Sequence, residues 1–203
     1  MRTSAAAAEV LAAANGSPSW AELAARSAAC TACPELAAER TTVVVGDAPP
    51  RARLALVGEA PGAEEDRAGR PFVGKAGRLL DELLAEAGLR RDEVAVVNVL
   101  QCRPPGNRAP RAAEVANCRG WLTRKLDLVR PQVVCALGLT AASWFLGRGV
   151  RLGAARGVVH EVDDRRVVVS YHPSAAIRFG PAGMPIAALR SDLAWVASLL
   201  DHG

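Results

Sequence analysis

GEAPGAEEDRAGRPFVGKAG, residues 58–77, follows directly on the apolar run LALV at 54–57. A short, continuous apolar run bounded by turn residues marks a strand buried on both faces. The loop leaving its carboxyl end opens with Gly58, Pro61 and Gly62, carries three consecutive acids at 64–66, and presents Pro71 and Phe72 between further glycines. Glycines at such spacing let backbone come close to a ligand, so this loop is the expected centre of the chemistry.

Working outward, residues 76–88 set Leu79, Leu80, Leu83 and Leu84 on one helical face, with Gly88 as the C-terminal cap. Residues 94–100 read as the next strand, and the loop CRPPGNRAP leads into a helix over 112–125. A strand at 133–137 ends at Gly138, with Thr140 as a cap for a helix over 141–146. Residues 158–162 and 167–170 read as a hairpin around Asp163 and Asp164. The loop HPSAAIRFGPAG then precedes a closing helix over 187–200. Upstream, residues 1–16 read as a flexible or weakly helical, Ala-rich tail. A helix over 19–29 is capped by Ser17 or Ser19, residues 41–45 form a short β-branched strand, and 47–51 a turn. Strands alternating with helices predict an α/β fold of three layers, α/β/α, with ligand chemistry at the carboxyl ends of the strands.

The chain has 203 residues, half of them apolar, enough for one substantial core, so residues 17–203 read as a single domain. A net charge of +4 leans mildly toward polyanionic partners. No apolar run reaches the roughly 20 residues a membrane span requires, and no signal peptide is evident. A cytoplasmic, reducing setting follows as the expectation for five cysteines.

Cys30 and Cys33 form a CxxC pair, Cys102 follows a strand, and Cys118 lies in the next helix. Four thiolates from two regions can hold zinc or an iron-sulfur cluster, and spacing alone does not choose between them. Cys135, inside VVCALG, reads as core. The segment GRPFVGKA nearly matches a phosphate-binding loop, but Ala76 stands where a magnesium-binding Ser or Thr belongs and Pro71 has no amide hydrogen to offer. Nucleotide hydrolysis is therefore disfavoured. His172, at the start of HPS after a strand, can donate to a developing oxyanion. His160 and His202 carry no such signal.

GEAPG, EED, GRPFVGKAG, the strand-end Asn98, CRPPGNR and HPSAAIR, with four cysteines in this order, together resemble the family 4 uracil-DNA glycosylases, the iron-sulfur type of bacteria and archaea. The resemblance implies a central, mostly parallel four-stranded sheet, a 4Fe-4S cluster on Cys30, Cys33, Cys102 and Cys118, and hydrolytic removal of uracil from single- or double-stranded DNA; action as a monomer is the default expectation for an enzyme that engages one nucleotide at a time. The resemblance further implies that Phe72 stacks on the flipped base, that Asn98 reads its Watson-Crick edge, and that backbone amides around Ala60 and Gly62 hold the base. By the same resemblance, Glu65 crowds the 5-position against thymine, His172 donates to uracil O2, and Glu59 positions water. Ile177 would be the wedge filling the vacated stack, with Arg178 on phosphate; Ser174, Lys75, Arg103 and Arg108 are further candidates for contact with DNA.

Two rivals stand beside this reading. One is a superfamily member that captures uracil-DNA covalently through a histidine after the Asn strand; here no histidine lies between Asn98 and Cys118, where Pro104, Pro105 and Gly106 stand instead. The other is a non-catalytic nucleic-acid-binding module built on zinc.

Overall fold

The sheet owes its place to side chains that alternate strictly between two apolar layers. The computed structural model describes residues 4–180 and 183–201; His202 and the first three residues of the Ala-rich stretch lie outside them. Strands β1 (Leu54–Gly58), β2 (Ala95–Asn98), β3 (Val133–Leu137), β4 (His160–Val162) and β5 (Arg165–Ser170) form one sheet in the order β2-β1-β3-β5-β4. The pairs β1 with β2, β1 with β3, and β3 with β5 are parallel, while β4 runs antiparallel to β5. Four parallel strands thus stand as the resemblance implied, and the hairpin partner β4 adds a short fifth at one edge.

Ala55, Val57, Ala95, Val97, Val134, Ala136, Val167 and Val169 face one layer, built on α6 (Ala112–Val129), α7 (Leu139–Leu146) and α8 (Leu152–Ala155). Leu54, Leu56, Val96, Val133, Cys135 and Val168 face the other, formed by α5 (Lys75–Glu86) and α10 (Met184–Asp201). The period of two places successive residues on opposite faces. Both faces are apolar because both are covered. Cys135 is fully buried in the second layer, as read.

A third cluster packs beside the sheet. It joins α1 (Ala5–Asn15), α2 (Trp20–Ala28) and α3 (Pro34–Glu39) to α6 through Val10, Ala14, Leu23, Leu36 and Trp121. Within the tail, expected to be mobile or weakly helical, residues 5–15 form a capped helix whose Ser4 side chain accepts from the Ala7 amide and donates to Asn117. Alanines suit it because α1 crosses α6 at close range. A Cβ on Gly120 would stand 2.9 Å from the Leu11 Cα.

Residues 41–45 do not form the predicted strand. Their amides are drawn elsewhere: those of Thr41 and Thr42 donate to the buried Asp66 carboxylate, and that of Val44 donates to the Gln101 carbonyl. Thr140 is not a cap either. Gly138, at φ 88°, begins α7 two residues earlier and frees the threonine hydroxyl for another task.

Candidate active site

Each parallel strand delivers one polar group to the same end of the sheet. Glu59 follows β1, Asn98 ends β2, Thr140 lies just past β3, and His172 stands two residues beyond β5. The register pairs Gly58 with Asn98, so these two strands end level. Here lies a cavity of about 330 Å³, lined by Glu59, Ala60, Phe72, Asn98, His172 and Arg178 among others. Gly62, Glu65, Arg108 and Ser174 also reach its wall. Of the expected site residues, those assigned to catalysis and to the base all meet in this one place.

The loop of residues 58–77 is shaped by contacts that only glycine permits. A Cβ on Gly58 would stand 2.4 Å from Asn98 Oδ1 and 2.6 Å from the Phe72 ring, and one on Gly77 would overlap the Phe72 carbonyl at 1.8 Å. Phe72 itself takes φ 53°, a left-handed conformation costly for an aromatic residue. It is held there from both sides. Arg91 donates to the Pro71 carbonyl at 2.9 Å, and Glu65 accepts from the amides of Val73 and Gly74 at 3.0 and 2.9 Å.

That use of Glu65 alters the expectation for Gly62. Its second oxygen accepts from the Gly62 amide at 3.1 Å, so the carboxylate is a clamp closing the loop between α4 (Ala63–Ala68) and α5. The Gly62 amide is therefore not left open for a base.

His172 is fixed by its own helix. Both the amide and the hydroxyl of Ser174, in α9 (Pro173–Phe179), point to Nδ1, at 3.2 and 2.8 Å. Nδ1 must then accept, which leaves the proton on Nε2. Burial pushes the pKa down to about 4, against a weaker upward pull from the Glu65 charge, so the ring is neutral at physiological pH. Its centroid is 5.5 Å from that of Phe72, with the planes 32° apart. Behind it, the buried Asp192 on α10 accepts from Ser170 and pairs with Arg156 at 2.8 Å, tying the end of β5 to the helix layer.

Glu59 receives the Thr140 hydroxyl, a contact that the sequence does not announce because the two residues are 81 positions apart. Asn98 is different. Its Oδ1 is buried with no hydrogen-bond partner. Buried polar atoms are nearly always satisfied, so an orphan acceptor in a cavity wall calls for a ligand donor.

The residues expected against DNA divide into two groups. Ile177 and Arg178 are exposed on α9 and Lys75 is exposed at the start of α5. Arg103 instead donates to Asn107 at 2.7 Å, and Arg108 holds Glu114 through two hydrogen bonds of 2.9 and 2.6 Å while also contacting Glu35. The charge of Arg108 is thus already answered within the chain.

Cys30, Cys33, Cys102 and Cys118 line a second, apolar cavity with Leu36, Val43, Leu100 and Trp121. Each of three sulfurs has a donor directed at it: Arg40 to Cys102 at 3.1 Å, Asn117 to Cys33 at 3.7 Å, and Gln101 to Cys118 at 3.9 Å. Burial raises the Cys33 and Cys102 thiols and pushes Cys118 up to about 12. Among the described residues, no three Cys, His, Asp or Glu side chains gather as for a single metal ion. One tetrahedral zinc would need all four sulfurs about 2.3 Å from one point; a cluster meets each thiolate at a different iron.

The description "Uracil DNA glycosylase superfamily" belongs to the family model that matches residues 45–192. The chain is 46% identical over 151 residues to the type-4 uracil-DNA glycosylase of Thermotoga maritima, covering 73% of this chain and 78% of that one. It is 41% identical over 156 residues to the type-4 enzyme of Archaeoglobus fulgidus, with the same coverage. A type-5 uracil-DNA glycosylase of Pyrobaculum aerophilum is 36% identical over 177 residues, 71% of this chain and 78% of that protein. By sequence match over most of its length, and by a parallel sheet whose strand ends build one polar cavity, the chain belongs to the uracil-DNA glycosylase superfamily, in its type-4 group.

Proposed function

We propose that this protein removes uracil from DNA, adding water across the bond between base and deoxyribose and leaving an abasic site, as the first step in repair of deaminated cytosine. The observation that carries this reading is the unpartnered Asn98 Oδ1 in the cavity wall. Uracil N3–H supplies the missing donor, and the amide nitrogen then faces O4. Cytosine presents the opposite pair, an acceptor at N3 and a donor at N4, and would leave Oδ1 unsatisfied; a site built for one hydrogen-bond pattern rejects its inverse strongly.

To enter the cavity the nucleotide must leave the duplex, at a cost of a few kcal/mol that is least at a mismatch. Ile177 fills the vacated stack and Arg178, with Lys75 and Ser174, contacts the backbone. Arg103 and Arg108 contribute through the shape of the 102–110 loop, since both are engaged within the chain. Phe72 stacks on the base and the Ala60 region closes around it. As the glycosidic bond breaks, charge accumulates on uracil O2, and Nε2–H of neutral His172 donates to it. Glu59, one oxygen held by Thr140, orients the water and favours the cationic sugar. A reaction with this dissociative character asks little of a general base.

Cys30, Cys33, Cys102 and Cys118 would hold a 4Fe-4S cluster, which when bound supplies a rigid cross-link between the segment before α3 and α6. The absence of any histidine between Asn98 and Cys118 argues against covalent capture. The protein acts as a monomer, since one cavity engages one nucleotide, and in the reducing cytoplasm, the setting that keeps its five cysteines as thiols.

A single-turnover assay on a labelled uracil-containing oligonucleotide, followed by alkali, tests the reading. Strand cleavage by wild type, strongly slowed in His172→Ala and Asn98→Ala, is expected. No cleavage from a folded, iron-loaded protein would overturn it.

A further inference from the structure

One of the most completely buried side chains is that of a cation. Lys125, on α6, is 1% exposed. Its ammonium donates to the Val45 carbonyl and, at 2.6 Å, to Gln101 Oε1. Among the described residues it makes no ion pair with a carboxylate; burial pushes its pKa down to about 7, and Cys118 and Cys102 pull it the other way. A buried charge without a counter-charge is costly by several kcal/mol. Where a carboxylate would normally stand, this structure has the cysteine cavity.

Gln101 connects the two. It is 2% exposed and precedes Cys102. Because its Oε1 accepts from Lys125, its amide group is turned toward Cys118, with Nε2 3.9 Å from the sulfur. The amide is thus oriented by the lysine and polarised along the same line, which strengthens its donor end. The device spans three parts of the chain: residue 45, the loop after β2, and α6.

We infer that Lys125 is the built-in counter-charge of the group held by the four cysteines, acting on Cys118 through the oriented Gln101 amide. This rests on the proposal that the group is a 4Fe-4S cluster. A positive charge and a hydrogen bond at a ligand sulfur both favour the more negative cluster state, so together they raise its reduction potential and protect it from oxidation. Lys125 is a positioning residue here, at a distance from the base cavity.

The test uses purified full-length protein and compares wild type, Lys125→Met and Gln101→Glu. Gln101→Glu is isosteric and keeps an acceptor for the ammonium, so it preserves packing even if Lys125→Met disturbs it. Iron and sulfide per chain are measured first, then the midpoint potential with mediator dyes, then the rate of bleaching in ferricyanide. Both variants are expected to shift the potential downward by at least tenfold in the redox equilibrium, about 59 mV for one electron, and to bleach faster, while uracil excision at full iron loading stays within twofold. A variant that keeps its iron at the wild-type potential and bleaching rate would overturn the inference, even if it melts at a lower temperature. Wild type loaded with zinc, or with no iron, would sink the cluster reading itself, a result distinct from an unshifted potential.

Discussion

The two cavities of this protein are built on opposite rules. The one at the strand ends keeps groups unanswered: Asn98 Oδ1 has no partner and His172 turns its only N–H away from the Ser174 contacts that fix the ring. In the cysteine cavity the donors are already in place, with Arg40, Asn117 and Gln101 each directed at a sulfur. A site that receives a passing ligand must leave hydrogen-bonding capacity open, at some cost to stability. A site that keeps a resident group can satisfy it permanently. Between them runs Asp66, whose carboxylate binds the amides of residues 41 and 42 from within the active-site loop, so the two sites share one stretch of backbone.

If the contrast is right, removing the open group should separate activity from stability. Asn98→Ala is expected to slow excision by roughly 10²- to 10³-fold while leaving the melting temperature unchanged or higher, since an unsatisfied buried atom is gone; single-turnover rates and a melt on the same sample check both halves. His172→Ala should cost about 10²-fold or more by the same principle, and the intact histidine gives a sharper test in pH. Its folded pKa of about 4 lies below the ordinary value near 6.5. The neutral donor therefore persists as pH falls from 7 to 5, and the rate should fall only as pH approaches 4. A rate breaking near 6.5 would show the ring is not held as described. By linkage, the unfolded chain binds the extra proton between these values, so this group's stability contribution is full above about 6.5 and is lost progressively as pH falls through about 4.

A smaller effect is expected of Thr140→Val. Losing a hydroxyl donor to Glu59 should slow excision about tenfold, in keeping with roughly 1.5 kcal/mol for a hydrogen bond to a charged group, with KM little changed and Thr140→Ser restoring most of the rate. On the cysteine side, Leu36→Ala should do the reverse: about 2 to 5 kcal/mol of stability lost, measured by urea unfolding, with near-normal turnover in the fraction that remains folded and loaded. Were Leu36→Ala to slow turnover as much as Thr140→Val does, the division between the two cavities would not hold.

Much of this was legible from one dimension. Apolar runs such as 54–57 and 133–137 name buried strands because no other element hides every side chain over so few residues. Leu80, Leu83 and Leu84 disclosed the buried face of α5, and Ser19 its role as the cap of α2. The Ala-rich start was ambiguous because alanine signals both a weakly committed peptide and a helix meant for close packing; only Gly120 on the facing helix distinguishes them. Thr41 to Val45 had strand-like side chains, yet Asp66 took the amides a strand would have used. Glu65 illustrates the same difficulty at the site, where resemblance gave its position in the cavity and geometry showed both oxygens already committed to the loop.

By itself, then, the sequence determined the alternation of strands and helices, the glycine-rich loop after the first strand, the cysteine set, and which residues end the strands, because these follow from local periodicity and from residue chemistry. Tertiary structure alone decided that Thr140 reaches Glu59 and that Lys125 stands behind Gln101 and Cys118. Each depends on groups far apart in the chain meeting at a few ångströms in a low-dielectric interior, and no local pattern encodes a distance of that kind.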